Sequence, residues 1–191
     1  YSTAFLMRWD VNSKQVLFEA LPDLPAASAF GSAESIGDVV YVWGGKHQKS
    51  DLQLTGGFWQ LNLAEIDSGW QSLPDHPGPV RFKMATAVQQ DVGGESCLFL
   101  FSGTRTSETE QGDPRFRAYT DGYRYSPGSR QWSAVASLPV LDDPRQIPGS
   151  EQFAAARWPI SAGCAEALGV RTILTFSGST DRYILDEKGK V

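Results

Sequence analysis

The sequence predicts an all-β chain built from repeated four-stranded antiparallel blades, the unit of a β-propeller. Three observations predict it. A short apolar strand ending aromatic–small–glycine recurs at residues 39–45, 97–103 and 172–178. The same kinds of residues follow each copy in the same order. Strand-forming β-branched and aromatic residues alternate with Gly, Pro, Asn, Asp and Ser turns throughout. A repeat of about 50 residues points to a propeller, solenoid or array.

The elements follow in chain order. The N-terminus supplies half a unit: Leu6 to Asp10, a turn at Asn12, Ser13 and Lys14, Val16 to Phe18, then Leu21-Pro22-Asp23-Leu24-Pro25. After the first glycine copy come the apolar run 58–63, a turn at Asp67, Ser68 and Gly69, and a strand opened by Trp70 that ends at Leu73-Pro74. After the second copy the matching pieces are Gly122 to Tyr125, the turn Pro127-Gly128-Ser129, Trp132 and Leu138-Pro139. Strands of small residues, 84–88 and 161–165, precede the second and third copies and suit an innermost position crowded around an axis. The glycine-ending strand is apolar on both alternating faces, so both should be buried. Glycine at its end permits the positive φ of a sharp exit.

The blades divide the chain at roughly residues 1–25, 26–77, 78–139 and 140–191 of a single domain, about three blade-equivalents. Propellers close with four to eight blades, and an open end exposes apolar faces and strand edges. The expectation is therefore part of a longer ring, six-bladed or alternatively seven-bladed, whose remaining blades come from the same or another chain.

Bulk composition excludes several classes. A net charge of −5 argues against nucleic acid as a partner. No apolar run approaches the ~18 residues of a membrane span, so no membrane partner is expected. Cys97 and Cys164 read as small buried residues, not a disulfide framework. His47 and His76 stand in separate loops without metal-ligand spacing. No phosphate-binding glycine loop or nucleophile elbow occurs.

In a four-stranded meander, alternate turns lie on opposite edges. The 1–2 and 3–4 turns are short, whereas the insertions 46–57, 78–83, 104–121 and 140–160, with the start of 179–182, share the other side. Loops longer than about 12–15 residues without secondary structure are usually functional or disordered, so this side is the expected binding face. It carries ten of the seventeen basic residues, and arginine holds a carboxylate in a two-point fork. Arg81 and Arg157, each ahead of an innermost strand, are the first candidates, followed by Arg105 and Arg182 soon after the glycines. Trp158 offers a stacking platform for a sugar ring, or else packs its loop onto the scaffold.

Gly44-Gly45, Phe58 or Trp59, and Trp70 resemble the Kelch β-propeller family, in which a glycine doublet is followed by an aromatic and then a tryptophan. Ser102-Gly103 with Tyr123 or Tyr125 and Trp132 is a weaker copy, and Ser177-Gly178 with Tyr183 a third. More narrowly, residues 73–81 and 158–163 look like the N-acetylneuraminate epimerases (sialic acid mutarotases). That resemblance implies a periplasmic or secreted isomerase, with no metal or organic cofactor, that opens and recloses an acidic sugar ring by acid–base catalysis. The family's catalytic Glu follows a strand-end glycine, where this chain has Lys46, Thr104 and Ser179. The catalytic group is thus unassigned, with Arg81, Arg157, Trp158, Arg105 and Arg182 as substrate-holding candidates. The rival reading is a non-catalytic Kelch module that binds protein or glycan through the same face.

Overall fold

A computed structural model describes residues 2–46, 56–108, 114–138, 140–141, 158–159 and 161–179. It divides into two compact units, Tyr1–Phe82 and Lys83–Val191.

The first unit opens with a ribbon in which β1 (Ala4–Asp10) pairs antiparallel with β2 (Gln15–Leu21). The Asp10 carboxylate closes the turn by accepting from the backbone N–H groups of Asn12 and Ser13 at 2.9 and 3.4 Å. The register sets Phe5, Met7, Trp9, Val16 and Phe18 on one face. That face is exposed, Trp9 at 61% and Phe18 at 66%. The other face carries the exposed Arg8–Glu19 pair.

A four-stranded sheet follows, in the order β3 (Ser32–Ile36), β4 (Val39–Trp43), β5 (Phe58–Asn62), β6 (Gln71–Leu73). Successive partners Ser32, Trp43, Phe58 and Leu73 form one row across it. This row marks the edge at which the glycines leave, the exit edge. Burial is on both faces of β5, where Phe58, Trp59 and Leu61 are all enclosed, as the continuous apolar runs predict. Trp43 meets Phe58 edge-on at 5.6 Å, and Phe58 stacks on Tyr41 at 6.0 Å. The turn expected at residues 67–69 is the end of a longer 3-10 helix, Leu63–Ser68. The Asn62 side chain caps it by accepting from Ala64 N–H, a favoured role for Asn. Trp70 donates its indole N–H to the Pro22 carbonyl at 2.8 Å.

The second unit repeats the plan with an insertion. Its sheet runs β12 (Gln131–Val135), β11 (Gly122–Ser126), β8 (Ser96–Phe101), β7 (Ala85–Gln90). Its exit-edge row is Ala85, Phe101, Gly122, Val135. The core strand β8 buries Cys97, Leu98 and Leu100 completely. Between β8 and β11 the expected structureless loop 104–121 is instead an antiparallel ribbon of β9 (Thr104–Glu108) and β10 (Pro114–Ala118). Within the expected loop 140–160, β13 (Val140–Leu141) pairs with β14 (Trp158–Pro159). Last comes the β15 (Ser161–Leu168) and β16 (Thr172–Ser179) ribbon, whose inner strand packs on β7. Buried Gln89 of β7 joins the two, its amide N–H group donating to Gly169 O at 3.1 Å and Thr172 O at 2.8 Å while its oxygen accepts from Gln90 N–H. No helix among the described residues is long and apolar enough to cross a membrane.

Candidate functional site

The exit corner of the first sheet is a convergence of four chain segments. Gly44 and Gly45 take φ of 67° and 112°. Gly44 N–H donates to Gly57 O and Gly45 N–H to Arg81 O, each at 3.2 Å. Lys46 and Ala29 exchange backbone hydrogen bonds, and the Ser28 hydroxyl donates to Gly44 O at 2.8 Å. A Cβ on Gly45 would collide with that hydroxyl, which is the steric reason for the second glycine. Lys46 Nζ lies 4.1 Å from the centre of the buried Phe82 ring, and Phe82 faces exposed Phe30 at 6.4 Å.

Arg81 is 0% exposed, its Nε donating to Pro79 O at 3.0 Å. Arg105 is exposed at the start of β9. Trp158 lies in β14, and its side chain, like all of Arg157 and Arg182, falls outside the described residues. Of the five sequence candidates, only Arg81 and Arg105 have described side chains, one in each unit. The repeat places Arg81 and Arg157 at different positions along the sequence. Trp43, Phe101 and Phe176 are the repeat aromatics, and their partners are Ser32, Ala85 and Cys164. Four residues upstream of those partners stand Ser28, Arg81 and Ile160, so Arg157 lies earlier than the Arg81 position.

The exit corner of the second sheet shares the paired positive φ and one backbone bond of the first, with different side chains. Ser102 and Gly103 take φ of 62° and 98°. Ser102 N–H donates to Asp121 O at 3.3 Å, the counterpart of the Gly44–Gly57 bond. Tyr119 N–H donates to Gly103 O at 3.0 Å. The Tyr123 hydroxyl donates to Asp121 Oδ2 at 2.7 Å, with both residues half-buried. The pair is i, i+2 at the start of a strand, so both side chains leave on one face. Register equates Asp121 with Gly57 and Tyr123 with Trp59. Sequence reasoning sought a carboxylate directly after the glycines and passed over this one. The Asp-x-Tyr spacing at the opening of the third strand was the available signal.

The opposite edge of this sheet holds a second polar cluster. Asp91 Oδ1 accepts from the backbone N–H groups of Gly93 and Glu95, while Oδ2 takes the Arg124 guanidinium at 3.2 Å. Glu95 accepts from Ser126 Oγ at 2.7 Å and Gly128 N–H at 2.8 Å. The ligand atoms of Asp91, Glu95 and Cys97 lie within 4.8 Å of one another. Every carboxylate oxygen is already engaged, and the Cys97 thiol is pushed up to about 11, first by burial and then by Glu95 and Asp91. The cluster works as a clamp tying the β7–β8 turn to the β11–β12 turn. A cleft of about 450 Å³ opens beside it, lined by Asp91, Phe99, Arg124 and Arg171 and reaching Val135 of the exit-edge row.

No family model matches the chain. It is 29% identical over 119 residues to an N-acetylneuraminate epimerase of Yersinia enterocolitica and 32% identical over 120 residues to one of Yersinia pestis, covering 62% of this chain and 27% of each relative. A Kelch domain-containing protein of Vibrio cholerae is 30% identical over 121 residues, 63% of this chain and 30% of that one. Among solved structures, "Structure of YjhT" aligns with a TM-score of 0.47 and 21% identity, over 63% of this chain and 31% of that chain. The chain thus spans under a third of the length of the relatives it matches. Strands, register and repeat define the class: blades of the Kelch-type β-propeller. Within it, the chain resembles the N-acetylneuraminate epimerases at about 30% identity.

Proposed function

We propose that this chain is part of a carbohydrate isomerase that interconverts the anomers of a sialic acid-type sugar. The observation that carries the reading is its similarity to proteins named N-acetylneuraminate epimerase across 62% of its length. The exit edge, where backbone turns and polar side chains converge, is the proposed reaction face. A base removes the proton of the anomeric hydroxyl while an acid protonates the ring oxygen. The ring opens, the carbonyl rotates, and closure occurs on the other side. Both groups must come within hydrogen-bond reach of the two oxygens. An arginine holds the sugar's own carboxylate. Exposed Arg105 is the accessible candidate among the described residues; Arg81, Arg157, Trp158 and Arg182 are the other candidates the sequence offers.

Anomer exchange of N-acetylneuraminate, followed by NMR with the full-length protein, tests this. Exchange well above the buffer rate is expected. Exchange at the buffer rate with retained sugar binding would favour the second reading, a non-catalytic Kelch module, which similarity to the Vibrio cholerae Kelch domain-containing protein also supports.

A further inference from the structure

We propose that Phe30 is the apolar platform on which the acidic sugar lies at the exit edge, with Lys46 as its positive rim. This assignment deepens the isomerase reading above and rests on it. Phe30 stands two residues ahead of Ser32, the first member of the exit-edge row of the first sheet. It is 56% exposed. Behind it lies the buried Phe82 ring, 6.4 Å away and inclined by 50°. Lys46 Nζ sits over that second ring, 4.1 Å from its centre. Paired backbone bonds between Ala29 and Lys46, at 2.8 and 2.7 Å, hold the lysine opposite the residue next to the platform.

Backbone and side chain make opposite demands at this position. Phe30 has a φ of 60°, a region that an aromatic residue enters only under strain. Glycine would relieve the strain, and a ring this exposed recovers little of the cost through burial. The next position shows that the chain does place glycine where packing requires it. A Cβ on Gly31 would come within 2.9 Å of both Gly44 O and Ser28 Oγ. The sister of Phe30 in the second sheet, two residues ahead of Ala85, is Lys83, with a φ of 54° and an exposed side chain. The blade therefore specifies the left-handed bend and leaves open which side chain rides on it. In the first sheet that side chain is a phenyl ring close to a cation.

An exposed apolar ring with a positive rim suits an acidic sugar. The C–H face of a pyranose ring packs on the phenyl surface. The ammonium draws the sugar's negative charge toward the same place, while an arginine grips the carboxylate itself. Neither Phe30 nor Lys46 moves a proton. Phe30 contributes binding that is equal in the ground state and the transition state, so its loss belongs in KM and not in kcat.

The test measures N-acetylneuraminate binding, anomer exchange and melting temperature on full-length wild type, Phe30→Gly, Phe30→Ala, Phe30→Trp and Lys46→Gln. Phe30→Gly relaxes the backbone, so its melting temperature should hold. Its sugar affinity should nevertheless fall about 10-fold, the worth of one good apolar contact, with kcat changed less than about twofold. Phe30→Ala should weaken binding to the same degree, and Phe30→Trp should restore affinity to within about threefold of wild type. Lys46→Gln should weaken binding of the free acid about threefold and leave its uncharged methyl ester nearly unaffected. Wild type that neither binds the sugar nor speeds its exchange would overturn the isomerase reading and the platform with it. Sugar binding without exchange would overturn the isomerase reading, and the affinity ratios would then decide the platform by themselves. Unchanged affinity in Phe30→Gly and Phe30→Ala would overturn the platform alone. So would an affinity loss that only tracks a fall in melting temperature.

Discussion

The two four-stranded sheets share a register but not a chemistry. Each has a row of partners along its exit edge, a pair of positive-φ residues leaving the second strand, and an N–H that reaches back to the residue before the third strand. In the first sheet those positions carry Gly44 and Gly57. In the second they carry Ser102 and Asp121, with Tyr123 bonded to the carboxylate. The far edges differ likewise. The first sheet is joined there by a backbone bond from Leu63 N–H to Asp38 O, the second by the side-chain clamp of Asp91 and Glu95. Backbone groups define the blade, and side chains at the same places are free to take on other work.

The strongest way to break this comparison is to exchange the two corners. Gly57→Ala should destabilise by about 3 kcal/mol, because φ is 129° there and a Cβ would enter the Trp59 indole. Asp121→Gly at the sister position involves no such clash and should cost about 1–2 kcal/mol, chiefly the lost hydrogen bond from Tyr123. Urea unfolding of both variants reads the contrast, and equal losses would refute the equivalence.

A somewhat smaller effect separates Cys97 from its sister Val39. The folded-state pKa of Cys97 is raised from 9.0 to about 11. Stability from this group is therefore fully present below pH 9 and is lost as pH rises toward 11, by about 2–3 kcal/mol. Cys97→Val should abolish that portion of the alkaline loss, measured as the difference in unfolding free energy between the two proteins at each pH. The smallest effect concerns the clamp. Glu95→Gln keeps the shape but weakens two hydrogen bonds to a charged acceptor, and should cost about 1–2 kcal/mol. Hydrogen exchange at Gly128 N–H should rise in that variant, and an unchanged rate would show the clamp to be idle.

Much of the scaffold was legible because burial and turn chemistry leave marks in sequence. The apolar runs 39–43 and 97–101 became central strands, and the turns at Asn12 to Lys14 and Pro127 to Ser129 stand as read. The β9–β10 ribbon was not legible, since Thr104 to Glu108 alternates without an apolar face and offers no period-2 contrast. Arg81 read as a substrate-holding arginine, and sequence does not reveal that its side chain is fully enclosed. Asp121 was missed for a topological reason. Its partner in the corner, Ser102, is distant along the chain, and only strand register makes them adjacent. The Kelch pattern likewise left Tyr123 and Tyr125 interchangeable until register matched Tyr123 to Trp59.

Gln89 has a consequence for motion. Its single amide spans from the innermost strand of one sheet to both sides of the turn that closes the β15–β16 ribbon. The ribbon cannot fray open at that end without also surrendering bonds held by β7. Its amide protons should therefore exchange with those of the neighbouring sheet in one opening event. A side chain buried between strands thus sets the size of the cooperative unit.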